Sequence, residues 1–121
     1  MVGAVFDTNI LIDHLNAVPQ ARVEIERFEN RSVSIITWME VMVGANDDLV
    51  EPTRRFLEGF RVIALDDEIA NRAVELRRVH RIKLPDAVIW ATAQSAGYLL
   101  VTRNTKDFPT DDPGIREPYT L

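Results

Sequence analysis

Residues 2–9 read VGAVFDTN. The apolar run VGAVF stops abruptly at Asp7; it is too short for a buried helix and has the unbroken hydrophobicity of a strand covered on both faces. The first element therefore predicts a parallel sheet. From Thr8 onward Ile10, Leu11, His14 and Leu15 recur at helical spacing, so a strand passes directly into a helix across one acid.

Working outward, the same alternation repeats. Pro19 opens an amphipathic stretch through Val23, Ile25 and Phe28 that ends near Asn30 and Arg31. Ser32–Ile36 (SVSII) reads as a second strand, Thr37–Val43 as a helix closed by Gly44. Asp47 and Asp48 open a further helix toward Gly59, in which Pro52 is tolerable only in the first turn. Phe60–Leu65 reads as a third strand. Asp66 and Asp67 cap a long helix running through Ile69, Ala73, Leu76 and Val79 to His80, and Pro85 begins another that Gly97 closes. Tyr98–Thr102 reads as a fourth strand, followed by a loop-rich tail whose Ile115 and Tyr119 are placed to pack on the sheet edge. Strands alternating with helices predict an α/β fold: a mostly parallel sheet with helices on both faces, in one domain spanning residues 1–121.

Composition narrows the chemistry. The absence of cysteine removes disulfides, thiolate zinc sites, iron–sulfur ligation and cysteine nucleophiles. Isolated glycines exclude a dinucleotide fingerprint and a phosphate-cradling loop. No apolar run approaches the roughly 20 residues that span a bilayer, and the N-terminus has no basic start, so a cytoplasmic protein without membrane attachment is expected. The net charge of −5 argues against a simple phosphate-neutralising protein and turns attention to where the 19 acids lie.

Ligands of open α/β sheets bind beyond the carboxyl ends of the strands. Asp7 ends the first strand, Glu40 lies one turn into the helix after the second, Asp107 follows the fourth, and Asp86 occupies the first turn of the helix before it. Each has a plain alternative. Asp7 and Asp86 suit helix N-termini, Thr37 and Glu40 match a capping box, and Asp107 suits a polar loop. Against this, Glu40 is flanked by Trp38, Met39, Val41 and Met42, where an unpaired carboxylate is costly. Several carboxylates brought together repel unless a cation neutralises them. An oxygen-only donor set, with only His14 and His80 as other ligands, favours Mg²⁺ or Mn²⁺ over zinc. Such ions activate water and stabilise in-line phosphodiester displacement, so the implied chemistry is phosphoryl transfer to water.

FDTN at 6–9, SIITWME at 34–40, LPDAVIWATAQSAG at 84–97 and LVTRNTKDF at 100–108 together resemble the PIN-domain ribonucleases, especially the VapC-type toxins of toxin–antitoxin pairs. The resemblance covers nearly the whole chain. It implies a three-layer α/β/α sandwich, Mg²⁺- or Mn²⁺-dependent endonucleolytic cleavage of RNA, a homodimer, and a VapB-type antitoxin that inserts a basic side chain into the acidic pocket. It places Asp7, Glu40 and Asp86 on the family's acidic triad, with Thr8 and Asn9 orienting ligands or water. At the fourth position the family often carries an acid where this chain has Asn104; Asp107 is then an outer ligand or water-mediated contact, supported by Asn104 and Thr102.

Arg72, Arg77, Arg78, Arg81 and Lys83 against Glu75 give residues 72–83 a local charge of +4. The stretch is either a solvated helix face or a surface for RNA phosphate, and Arg81 and Lys83 lead directly to Asp86. Arg103 and Lys106 are placed for a substrate phosphate. Trp90 reads as core, and His14 as a helix-surface or dimer residue. A receiver-like phosphoacceptor module shares the length, the alternation, Thr102 and Lys106, but leaves Glu40 unexplained. A housekeeping RNA-processing nuclease would share the site without the antitoxin. Setting Asp7, Glu40, Asp86 and Asp107 aside leaves 14 positive against 15 negative charges, so most of the acidic excess is assigned to one pocket.

Overall fold

The computed structural model describes residues 2–121. The elements run β1 (Ala4–Phe6), α1 (Thr8–Leu15), α2 (Pro19–Glu26), β2 (Arg31–Ser34), α3 (Ile35–Val43), a 3₁₀ turn (Asp47–Leu49), α4 (Val50–Leu57), β3 (Arg61–Ile63), α5 (Asp67–His80), α6 (Leu84–Ala96), β4 (Leu99–Val101) and β5 (Ile115–Arg116). Every strand pairing is parallel, in the order β3-β2-β1-β4-β5. The expected α/β sandwich is therefore what forms. Its fifth strand is absent from the sequence reading because two residues are too few to carry a period-2 pattern, although Ile115 does reach the sheet edge.

Alternation within the strands builds two cores. Val5 and Leu100 point to one face and pack with Ile69, Ala73 and Trp90 of α5 and α6. Ala4, Phe6, Val33 and Val101 point to the other and pack with Ile10, Ile25, Val41 and Leu57 from α1 to α4. Phe6 meets Phe28 and Phe60 edge-on at 5.8 and 5.9 Å, and Trp90 meets Phe108 edge-on at 5.9 Å. Trp90 is core, as expected. His14 is not a free surface residue: its ring stacks on Phe56 at 4.8 Å.

The strands are shorter than the apolar runs. SVSII predicts an extended chain to Ile36, yet the backbone turns helical at Ile35 because Ser34 is an N-cap, its Oγ accepting from the Ile36 N–H at 3.1 Å. A satisfied cap overrides the β-propensity of two isoleucines. Thr37 consequently lies inside α3, and the capping box with Glu40 does not form. Elsewhere the local chemistry acts as the sequence suggests. Asp66 Oδ1 caps α5 through the Ile69 N–H at 2.8 Å, Pro52 falls in the first turn of α4, and Gly97 ends α6 in the left-handed region at φ 71°.

The chain leaves β1 toward β2 and β3 on one side and later adds β4 and β5 on the other. Connections diverge between β1 and β4, and it is beyond the carboxyl ends of strands at such a point that open α/β sheets bind their ligands. That order also differs from the 2-1-3-4-5 order of receiver-like folds. α6 is buried continuously from Ala87 to Ala93, so the residues of its first turn stand on a rigid base. Among the described residues no helix is long and apolar enough to cross a membrane.

Candidate metal centre

Asp7 stands at the switch point, 4% exposed. Its Oδ1 accepts from the Thr8 N–H at 2.7 Å, making it the N-cap of α1. Its Oδ2 accepts from Thr102 Oγ1 at 2.7 Å and Asn9 Nδ2 at 3.1 Å. The plain reading holds, since one oxygen starts the helix, while the other is held by Thr102 and Asn9. Burial pushes the Asp7 carboxyl up to about 6; the bonds from Thr102 and Thr8 oppose the rise, and the charges of Asp86 and Glu40 add to it.

Glu40 corrects one expectation. Its apolar sequence neighbours do not bury it, because the buried positions of α3 are Thr37 and Val41, while Met39 and Glu40 are exposed. The side chain is held instead by Thr8, whose Oγ1 lies 2.7 Å from Glu40 Oε1 and 3.0 Å from Thr37 Oγ1. A carboxylate can only accept, so Thr8 gives its proton to Glu40 and the fully buried Thr37 donates to Thr8. Sequence reasoning missed Thr37 as a site residue; its one signal is a hydroxyl three residues before an acid, which fits a capping box equally well.

Asp86 is half-buried and makes no side-chain cap, so it is not there to start α6. A helix N-terminus alone would lower its pKa. Burial raises it, the charges of Asp107 and Glu40 raise it further, and only Lys83 opposes. Asp107 and Asn104 brace each other: Asn104 Nδ2 donates to Asp107 Oδ2 at 3.0 Å, and the Asp107 N–H donates to Asn104 Oδ1 at 3.2 Å. The Asn104 N–H in turn donates to Thr102 Oγ1 at 2.9 Å. Asn104 and Thr102 thus hold Asp107 in one hydrogen-bonded chain.

The four acids share one field, Asp7 with Asp86 and Glu40, and Asp86 with Asp107 and Glu40. Among the described residues no three acidic or histidine side chains already close on a single point at ligand distance. What fits a divalent ion is the donor chemistry: carboxylates from four separate elements, oriented by hydroxyls and amides, with His14 stacked on Phe56 and His80 against Trp90. A hard cation among these oxygens would offset the burial that lifts Asp7 and Asp86 and the like charges that add to it.

The cations divide. Arg81, Lys83 and Lys106 are exposed, and Lys83 acts directly on Asp86. Arg103 is different. Its guanidinium is engaged with Asp13, Nη2 lying 2.9 Å from Oδ1, and its backbone N–H donates to Asn9 Oδ1 at 3.2 Å. Asp13, 6% exposed, and Tyr119, whose hydroxyl donates to Asp13 Oδ2 at 2.8 Å, are further residues the sequence reading did not single out for the site. The helical spacing of Asn9 and Asp13 was the available signal.

A family model for the PIN domain matches residues 4–110, from β1 through the loop that carries Asp107. The chain belongs to the PIN domain family. Among solved structures, this PIN domain superimposes on a chain of a toxin–antitoxin complex from Klebsiella pneumoniae with a TM-score of 0.94 and 45% identity, covering 98% of this chain and 100% of that one. It matches a chain of the DNA-bound VapBC from Salmonella typhimurium at a TM-score of 0.76 and 26% identity, covering 96% of each. FitAcB from Neisseria gonorrhoeae, at 22% identity and a TM-score of 0.78, shares the fold over 98% of this chain and 99% of that one. No curated protein sequence matches. The resemblance to VapC-type toxins is thereby borne out, and the receiver-like alternative is set aside by both the family and the sheet order.

Proposed function

We propose that this PIN domain is a Mg²⁺- or Mn²⁺-dependent endoribonuclease, the toxin of a VapBC-type pair. One observation carries the reading. At the switch point of the sheet Asp7, just after β1, feels the charges of Asp86 and Glu40, and Asp86 those of Asp107 and Glu40, which add to the burial that lifts Asp7 to about 6. Structural capping does not ask acids from four elements to face one another's charge.

In this reading Asp7, Glu40 and Asp86 hold the ion, and Asp107 adds an outer or water-mediated contact. Thr8 and Thr37 aim Glu40; Asn9 and Thr102 aim Asp7; Asn104 aims Asp107. Bound there, Mg²⁺ or Mn²⁺ would neutralise the acids and activate water for attack on phosphorus, breaking the P–O bond of an RNA phosphodiester. Lys83 beside Asp86, with exposed Arg81 and Lys106, receives the substrate's phosphates. The side chain of Arg103, tied to Asp13, is assigned to positioning instead. The partners that accompany this function are a VapB-type antitoxin with a basic side chain for the pocket and a second copy of the chain, and the cytoplasm is its place of action.

The test is cleavage of a mixed RNA pool by the wild type and Asp7→Asn with Mg²⁺, Mn²⁺ or chelator. Cleavage only by the wild type and only with metal is expected. Cleavage in chelator, or by the variant at the wild-type rate, refutes the metal-nuclease reading. A neighbouring frame encoding a small DNA-binding protein that co-purifies with this chain supports the toxin role; its absence favours an RNA-processing nuclease.

A further inference from the structure

Arg103 is fastened to one face of α1 at two points. Its backbone N–H reaches Asn9 and its guanidinium forks onto Asp13. Asn9 and Asp13 are four residues apart on the helix, so they stand one above the other. Tyr119, from the segment after β5, completes the arrangement: its hydroxyl donates to Asp13 Oδ2, and its ring lies 6.0 Å from the Arg103 guanidinium. Burial would raise the Asp13 carboxyl, but the bonds from Arg103 and Tyr119 and the charge of Arg103 hold it below the usual range.

What this does follows from the neighbours of residue 103. Thr102 on one side bonds Asp7, and Asn104 on the other bonds Asp107. Fixing the peptide at 103 therefore fixes the two flanking side chains that donate to Asp7 and Asp107. The same C-terminal segment carries a second ion pair, in which Nη2 of half-buried Arg116 lies 3.0 Å from Oε1 of Glu24, itself 3% exposed. That side-chain pair makes no bond to any side chain of the pocket, which makes it the natural control.

We propose that Asp13, Arg103 and Tyr119 form a positioning clamp, through which the C-terminal segment sets where Thr102 and Asn104 hold Asp7 and Asp107. The clamp rests on the metal-nuclease reading only for its effect on metal affinity; its effect on the loop is independent of it.

Two measurements test it on the full chain: amide hydrogen exchange without metal, and calorimetric titration with Mn²⁺, for the wild type, Asp13→Asn, Arg103→Lys, Tyr119→Phe and Arg116→Met. In Asp13→Asn and Arg103→Lys the amides of Arg103, Asn104 and Asp107 should exchange at least about tenfold faster, and Mn²⁺ should bind on the order of tenfold more weakly. Tyr119→Phe should move both several-fold. Arg116→Met should lower thermal stability and leave Mn²⁺ affinity unchanged. Wild-type exchange at these three amides in Asp13→Asn, or a Mn²⁺ loss in Arg116→Met equal to that in Asp13→Asn, overturns the clamp. If Asp13→Asn does not fold, unchanged exchange in Tyr119→Phe overturns it alone. A wild type that takes up no Mn²⁺ defeats the nuclease reading, and the exchange measurement still decides the clamp.

Discussion

Replacing Asp7 with asparagine should make the metal-free protein more stable at neutral pH while abolishing the proposed RNA cleavage. Raising a carboxyl from 3.8 to about 6 on folding destabilises the native state by about 3 kcal/mol once both states are ionised. The penalty depends on pH in a fixed direction. Well below pH ~4 the carboxyl is protonated in native and unfolded chains alike, and folding is unpenalised. Between about 4 and 6 the unfolded chain ionises while buried Asp7 keeps its proton, so stability falls as pH rises; above about 6.5 the loss is nearly complete. The Asp7→Asn side chain lacks this titration. It keeps a carbonyl for the Thr8 N–H but presents an amide where Thr102 and Asn9 now donate, a pH-independent loss of about 1–2 kcal/mol. Urea denaturation in chelator at about pH 4 and about pH 7.5 isolates the titrating part: the stability of Asp7→Asn relative to wild type should rise by about 2 kcal/mol between the two. A difference that stays flat, or falls, refutes the claim that burial, reinforced by Asp86 and Glu40, raises the Asp7 carboxyl.

Other consequences can be measured separately. Thr37→Val keeps the shape of a buried residue and removes the hydroxyl behind Thr8; Mn²⁺ affinity should drop on the order of tenfold while folding stability falls by only about 1 kcal/mol. Lys83→Ala should weaken RNA binding across sequences and reduce the salt slope of log K by about 1, measured by filter binding at several ionic strengths. Trp90→Ala, emptying a position 2% exposed between α6 and Phe108, should cost about 3–5 kcal/mol in denaturant unfolding.

The fold was legible where local chemistry and burial agree. β1, α5 and α6 follow from an apolar run, an Asp66 cap and a Pro85–Gly97 frame; the helices form as read, and the strand forms over the last three residues of its run. It was not legible where a cap outvoted a propensity, as Ser34 does to Ile35 and Ile36, or where a strand is as short as Ile115–Arg116. At the proposed site, Asp7 and Asp86 stand out in sequence because they sit at element ends, and Glu40 because its neighbours are apolar. The groups that aim them were harder. Thr37, Asp13 and Tyr119 reach the pocket across 29, 90 and 106 residues of chain through Thr8, Arg103 and Asp13, and no periodicity encodes contacts at that separation. Glu40 shows the converse: apolar neighbours in sequence fall on other faces of the helix and leave the carboxylate exposed.

The most direct measurement is anomalous diffraction from crystals of the protein soaked in Mn²⁺ at about pH 7.5. A peak bounded by carboxylate oxygens of Asp7 and Asp86, within reach of Glu40, and lost in Asp7→Asn crystals, is the predicted result. An empty pocket in crystals of protein that still cleaves RNA, or a Mn²⁺ peak held by other residues, would contradict the assignment of these acids to the metal centre.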